Sequence, residues 1–148
     1  VWFLVYIRDM AKQKITESEH FLQCEVVEFC RLNKEFPDLK KIYAVPNAAR
    51  RSLRQGAKMK AEGMRSGVPD LVLPIGKGGF FGLYIEMKTK GGSLSDNQKI
   101  VLGELKYDNY KIAVCYSSEE AIDLLSKYIQ MEGTVEYYEK YFKEKYSK

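Results

Sequence analysis

Histidine occurs once in the 148 residues, at His20, and cysteine three times, at Cys24, Cys30 and Cys115. A lone imidazole cannot build a His-based metal site. It also excludes a Ser-His or Cys-His nucleophile pair unless His20 itself takes part, and His20 falls on the polar arc of its helix, where it reads as a surface residue. An odd number of cysteines with no C-x-x-C spacing argues against a disulfide framework and a structural zinc site, and fits a reducing, cytoplasmic setting. Long apolar runs are missing too. The stretch Trp2 to Ile7 is apolar throughout, yet far below the roughly 20 residues a membrane span needs, and it lacks the basic start and cleavage pattern of a signal peptide. Residues 1–9 therefore read as a leader without functional weight. They are either an upstream-translated or added segment ahead of Met10-Ala11-Lys12, or an edge strand. Internal repeats and low-complexity segments are absent.

What remains suits one compact domain with a real core. The net charge of +4 is mild, so its distribution matters more than its sum. Between Asp38 and Glu62 lie Lys40, Lys41, Arg50, Arg51, Arg54, Lys58 and Lys60 with no acid among them. Such a block points to a phosphate-bearing partner, or to a solvated basic helix face.

The pattern predicts a helix from Thr16 or Ser18, either of which can cap it, to about Phe36, stopped by Pro37-Asp38. Lys41 to Pro46 reads as a short strand, Asn47-Ala48-Ala49 as a loop, and Arg51 to Glu62 as a helix ended by Gly63. Two strands follow, Leu71 to Pro74 and Leu83 to Lys88, with a hairpin turn at Gly76-Lys77-Gly78-Gly79. That glycine cluster lacks the Gly-Lys-Ser/Thr ending of a phosphate loop and no helix follows it, so no organic cofactor is expected. Ser95 with Gln98, and Ser117 with Glu120, form capping boxes for helices to about Tyr107 and Met131. Between those helices Tyr110 to Tyr116 is a strand. This order predicts an α/β fold with a central mixed sheet flanked by helices. In the tail, residues 133–148, Tyr137, Tyr138, Tyr141 and Phe142 share one side of a helix that docks on its own domain or on a second copy.

The chemistry concentrates on two strands. Tyr84, Glu86 and Lys88 point one way, while Leu83, Ile85 and Met87 make a core face on the other. A carboxylate and an ammonium two residues apart at a strand end, with Asp70 opening the preceding strand, suit a hard divalent cation beside a phosphate. On the first helix the wheel puts Phe21, Leu22, Phe29, Leu32 and Phe36 on one face with Glu25 in its middle. Glu17, Glu28 and Glu35 fall on its edge and Glu19 on the far side. A carboxylate facing a core needs a cationic partner or a metal, so Glu25 is either satisfied by Lys or Arg or reaches the same cation as Asp70 and Glu86. The second reading is the favoured one.

Pro69-Asp70 followed by Glu86-x-Lys88 resembles the PD-(D/E)xK nuclease pattern, and the surrounding text is more specific. Val45-Pro46-Asn47, Lys60-Ala61-Glu62-Gly63, Gly67-Val68-Pro69-Asp70-Leu71, Ile85-Glu86-Met87-Lys88 and Gly91-Gly92-x-Leu94-Ser95-x-x-Gln98 follow in that order. Together they resemble the VRR-NUC (virus-type replication-repair nuclease) domain, especially its short stand-alone phage and bacterial forms, from about Glu25 to Ala121. Residues 10–132 would be that domain, in the host cytoplasm if phage-encoded. The resemblance implies a restriction-endonuclease-like core that hydrolyses DNA with Mg²⁺ or Mn²⁺. Asp70, Glu86 and the Met87 backbone carbonyl would hold the metal, Glu25 would supply the family's helix acid, Lys88 would position water, and Gln98 would line the site. Asn47, Arg50, Arg51, Arg54, Lys58 and Lys60 would hold the DNA backbone. It further implies a homodimer acting on branched DNA such as four-way (Holliday) junctions. A sequence-specific restriction-type endonuclease, a non-catalytic DNA-binding module on the same scaffold, and an α/β protein whose acids only pair with its basic segment are the alternatives.

Overall fold

Four of the five helices described begin behind a serine. The hydroxyls of Ser18, Ser52, Ser95 and Ser117 each accept the amide N–H three residues on, at 3.1, 3.3, 3.2 and 3.1 Å. Each thereby satisfies one of the donors that a helix start leaves open. The structure is a computed structural model that describes residues 18–46 and 52–147. The leader at 1–9 lies outside the described residues, as do Asn47, Arg50 and Arg51.

The elements run α1 (Glu19–Leu32), a 3₁₀ turn (Pro37–Lys41), β1 (Tyr43–Ala44), α2 (Leu53–Ala61), β2 (Leu71–Leu73), β3 (Leu83–Met87), α3 (Asp96–Tyr107), β4 (Lys111–Cys115), α4 (Ser118–Ile129) and α5 (Thr134–Tyr146). α1 stops four residues short of Phe36 because Asn33 turns to extended backbone and its Oδ1 accepts the Phe36 N–H at 2.7 Å. The Ser95 capping box is complete in both directions. At α4 the acid reaches one residue further back, so Glu120 accepts from Tyr116 N at 2.7 Å rather than from its own cap.

Strand order is β1-β2-β3-β4, antiparallel for the first two pairings and parallel for β3 with β4, which α3 connects. One sheet face buries Leu71, Leu73, Leu83, Ile85 and Met87 against Leu22, Val26 and Cys30 of α1 and Ala121, Leu125 and Tyr128 of α4. This is the core, and it fixes the strand register, since a one-residue slip would turn Glu86 into it.

The glycine-bearing turn is anchored rather than free. Gly78 N–H donates to Glu132 O at 2.7 Å, and Tyr138 at the start of α5 donates from its hydroxyl to Gly79 O at 3.1 Å. The tail helix thus docks its first turns on its own domain. Further out, Tyr141, Phe142 and Tyr146 stay exposed, at 45%, 51% and 69%. α2 behaves differently: it buries none of its residues, and Leu53 is 95% exposed.

Candidate active site

The β2–β3 register pairs Leu71 with Ile85 and Val72 with Tyr84. One step further sets Asp70 against Glu86, so both carboxylates project from the sheet face opposite the core. Asp70 stays in line with the sheet because its carbonyl accepts Val45 N–H at 2.8 Å. Beyond β3, Lys88 N–H donates to Cys115 O at 2.9 Å, which carries the extended backbone far enough to return the Lys88 side chain to Glu86.

Glu86 is 2% exposed and Lys88 8%. Lys88 Nζ lies 2.9 Å from Glu86 Oε1 and 3.4 Å from Glu19 Oε1. Gln98 donates from Nε2 to the same Glu86 Oε1. Its amide orientation follows from the capping box: Oε1 accepts Ser95 N–H at 2.9 Å, so the NH₂ is the end left for Glu86. Asp70 Oδ2 accepts Met87 N–H at 2.8 Å. Each carboxylate therefore has one oxygen tied to protein donors. Glu86 Oε2 and Asp70 Oδ1 accept from no described residue, and neither is a sealed, unpartnered atom.

Desolvation dominates the electrostatics. Burial pushes the Glu86 carboxyl up to about 7, with Asp70 adding repulsion and the Lys88 hydrogen bond opposing. Burial also raises Asp70, against the Met87 N–H and the Lys88 charge. For Lys88 burial disfavours the ammonium, but hydrogen bonding and charge from Glu86, then Glu19, outweigh it and raise its pKa.

The third acid is not the expected one. Glu25 is turned away from the core stripe, and its Oε2 accepts from Ser118 Oγ at 2.7 Å, at a groove between α1 and α4. Placing Glu25 with Asp70 and Glu86 is corrected for a simple reason. That wheel was centred with the help of Leu32 and Phe36, but Leu32 is 60% exposed and Phe36 lies beyond the helix. The buried stripe is Leu22, Val26 and Cys30. Glu19 precedes them by three, seven and eleven residues and so stands on that same stripe. One turn before Leu22 the stripe runs past the apolar sheet and meets Lys88. Of the chain's acids, sequence reasoning set this one on the far side; the i, i+3, i+7, i+11 spacing was the signal that could have found it.

Of the expected DNA contacts, Arg54, Lys58 and Lys60 lie exposed on α2. Lys60 at the end of α2 and Gln98, which donates to Glu86, line one cleft of about 380 Å³, although neither Asp70 nor Glu86 lines it. Its floor depends on Gly67. With φ +87° it packs so closely on the first turn of α3 that an added Cβ would lie 2.5 Å from Asn97 C. Close backbone approach, not turn geometry alone, requires glycine there. Gly63, with φ +98° and open space around it, needs only the turn.

The sequence profile of the VRR-NUC domain matches residues 7–119. The chain belongs to the VRR-NUC family. A solved structure described as a VRR_NUC domain protein superposes with a TM-score of 0.69 at 25% identity, covering 79% of this chain and 92% of that one. No curated protein sequence matches. The four-stranded mixed sheet with its helices is accordingly a VRR-NUC, PD-(D/E)xK-type nuclease fold. The family match begins within the leader reading and stops before α5. Among the described residues, no three Asp, Glu, His or Cys side chains are grouped as a ready-made metal cage, and no helix is long and apolar enough to cross a membrane.

The donor set of this VRR-NUC domain still fits a hard divalent cation. Mg²⁺ is held by one or two carboxylates, with water and substrate phosphate completing the shell, and needs no dedicated protein cage. Among the described residues, Asp70 and Glu86 each keep one oxygen without a donor. The Met87 carbonyl shares the strand edge of its N–H, and that N–H meets Asp70.

Proposed function

We propose that this VRR-NUC domain is a divalent-metal-dependent endonuclease that hydrolyses phosphodiester bonds in DNA, selective for branched structures such as four-way junctions. The reading rests on one observation: two half-committed carboxylates, Asp70 and Glu86, opposite one another on the sheet with a buried Lys88 ammonium beside them. Asp70, Glu86 and the Met87 carbonyl would hold Mg²⁺ or Mn²⁺. When bound, the ion would acidify water and offset phosphate charge. Lys88 orients the attacking water and complements the charge that develops on the phosphate. Gln98 and Lys88 share one Glu86 oxygen, leaving the other for the ion, and Glu19 gives Lys88 a second carboxylate partner. The branch preference comes from the stand-alone forms the sequence resembles. The exposed aromatic side of α5 supports a homodimer able to cut opposed strands, and the free thiols of Cys24, Cys30 and Cys115 support a reducing, cytoplasmic setting.

The test is a panel of labelled flaps, forks, four-way junctions and linear duplex with Mg²⁺, Mn²⁺ or EDTA. Cutting at the branch irrespective of flanking sequence is the expected result. Cutting of linear duplex at a fixed motif would move the assignment to a restriction-type enzyme, and no metal-dependent cutting of any substrate would end it.

Two predictions arise here. Glu19→Gln slows cleavage about tenfold, the scale for a supporting partner of a metal-site residue, while Glu25→Gln stays within about twofold of the parent, as expected of a side chain outside the site. Steady-state rates on one junction compare them, and equal effects would return Glu25 to the site. Reversing Arg54, Lys58 and Lys60 together to Glu removes most DNA affinity and flattens its salt dependence, because about three phosphate contacts no longer release counterions. Anisotropy titrations across a salt series measure this, and an unchanged slope would take α2 out of the interface.

A further inference from the structure

The displaced Glu25 marks a second feature on the helical side of the core, away from the Asp70–Glu86 face. Between α1 and α4 lies an open groove of about 490 Å³ with apolar walls from Phe29, Leu32 and Ile122 and a rim of Glu25, Glu28 and Glu119. Its volume is that of a binding pocket rather than a packing defect. Its remaining lining residues are Asn33 and Ser118, so no Lys or Arg borders it, although the chain as a whole carries a net +4. None of the three glutamates has a cation of the described residues within 4.0 Å. Buried Ser118 has a single proton for two carboxylates: Glu25 Oε2 at 2.7 Å and Glu119 Oε2 at 3.5 Å both approach its Oγ. It can donate to only one of them at a time, which leaves acceptor oxygens at the mouth. Leu32, at the last turn of α1, is 60% exposed over the same opening.

We infer that this groove docks a protein segment presenting one large apolar side chain flanked by lysine or arginine. The apolar walls take the anchor, and the carboxylate rim takes the flanking cations and repels nucleic acid. DNA is thereby kept to the basic α2 and the partner to the acidic groove, which share no residue. The inference does not rest on the nuclease reading, since neither Asp70, Glu86 nor Lys88 lines the groove.

The probe is a fluorescent octapeptide with one leucine between pairs of arginines in a Gly/Ser background. Controls carry alanine for the leucine or glutamate for the arginines. Binding by anisotropy is expected for the leucine–arginine peptide alone, with NMR shift changes confined to α1 and α4. Glu28→Lys with Glu119→Lys weakens that peptide about tenfold, as for two lost and reversed charge pairs, and gains the glutamate peptide. Leu32→Arg blocks both while leaving junction binding unchanged. The inference is overturned if the alanine peptide binds as well, if the shifts map elsewhere, or if charge reversal has no effect. It is equally overturned if light scattering shows a self-associated chain that the same reversals dissociate. The occupant would then be a second copy, with exposed Leu53 beside Arg54 as its anchor.

Discussion

Replacing Lys88 with methionine slows cleavage about 10²- to 10⁴-fold, the range for removing a charge-stabilising or proton-managing group, and leaves DNA affinity within about threefold. The split follows from where Nζ sits. It is almost enclosed between Glu86 and Glu19, so it adds little to the long-range attraction that α2 exerts on phosphates. Its charge acts only on what approaches the carboxylates. Methionine keeps the stem packed. The lost ammonium does not strand a bare carboxylate either, because Glu86 is already poised near neutrality by burial and takes up a proton instead. The fold therefore survives, and circular dichroism should superpose on the parent. Lys88→Arg restores the charge but not the compact single-point contact of 2.9 Å to Glu86, so recovery is partial. Rates under single-turnover conditions, set beside anisotropy titrations with an uncleavable junction, separate the two effects. Loss of binding in step with loss of rate would mean that Lys88 is a substrate contact rather than a participant in the chemistry.

The two carboxylates of the site were legible because a strand has a period of two. Once Leu83, Ile85 and Met87 are recognised as core, Glu86 and Lys88 must share the opposite face, and an antiparallel hairpin brings Asp70 to them. The caps at Ser18, Ser95 and Ser117 were equally legible, being local in sequence, whereas Ser52 was not, because the helix expected from Arg51 placed it inside. Glu19 was not. Its face depends on which residues define the helix stripe, and two large apolar side chains near the C-terminal end, Leu32 and Phe36, outweighed the smaller Val26 and Cys30. Size misled there, because the stripe that is buried is Leu22, Val26 and Cys30, two of them small. The strand expected over Lys41 to Pro46 shrinks to Tyr43–Ala44 for a related reason. β1 is an edge strand, where pairing on one side only fixes few residues. The close approach that Gly67 permits joins segments thirty residues apart and leaves no local trace in the sequence.

Without metal, the protein loses stability as pH rises from about 4.5 to about 7, and Mg²⁺ restores more of it at pH 8 than at pH 5.5. The sign follows from Glu86. Its carboxyl is raised from an ordinary 4.5 to about 7 on folding, so between those values the folded state holds more of the proton than the unfolded state. Stability therefore falls with pH across that window and is flat beyond it. About 2.5 pH units at 1.36 kcal/mol each gives an upper bound on the order of 3 kcal/mol. Asp70, also raised by burial, adds in the same direction at lower pH. Lys88 does not reverse the trend, because a raised lysine contributes stability that is lost only near and above its ordinary, strongly alkaline range. A divalent ion held by Asp70 and Glu86 requires both carboxylates deprotonated. Its binding releases a proton at pH 5.5 but almost none at pH 8, so its apparent affinity, and with it the rise in Tm, grows with pH. Glu86→Gln removes both halves of the effect: the metal-free decline flattens, and the Mg²⁺ response disappears at every pH. Thermal melts at pH 5.5 and 8, with EDTA or Mg²⁺, decide the matter. An equal Mg²⁺ response at the two pH values, or one that persists in Glu86→Gln, would mean that the ion binds elsewhere and that the paired carboxylates are a structural feature of the sheet.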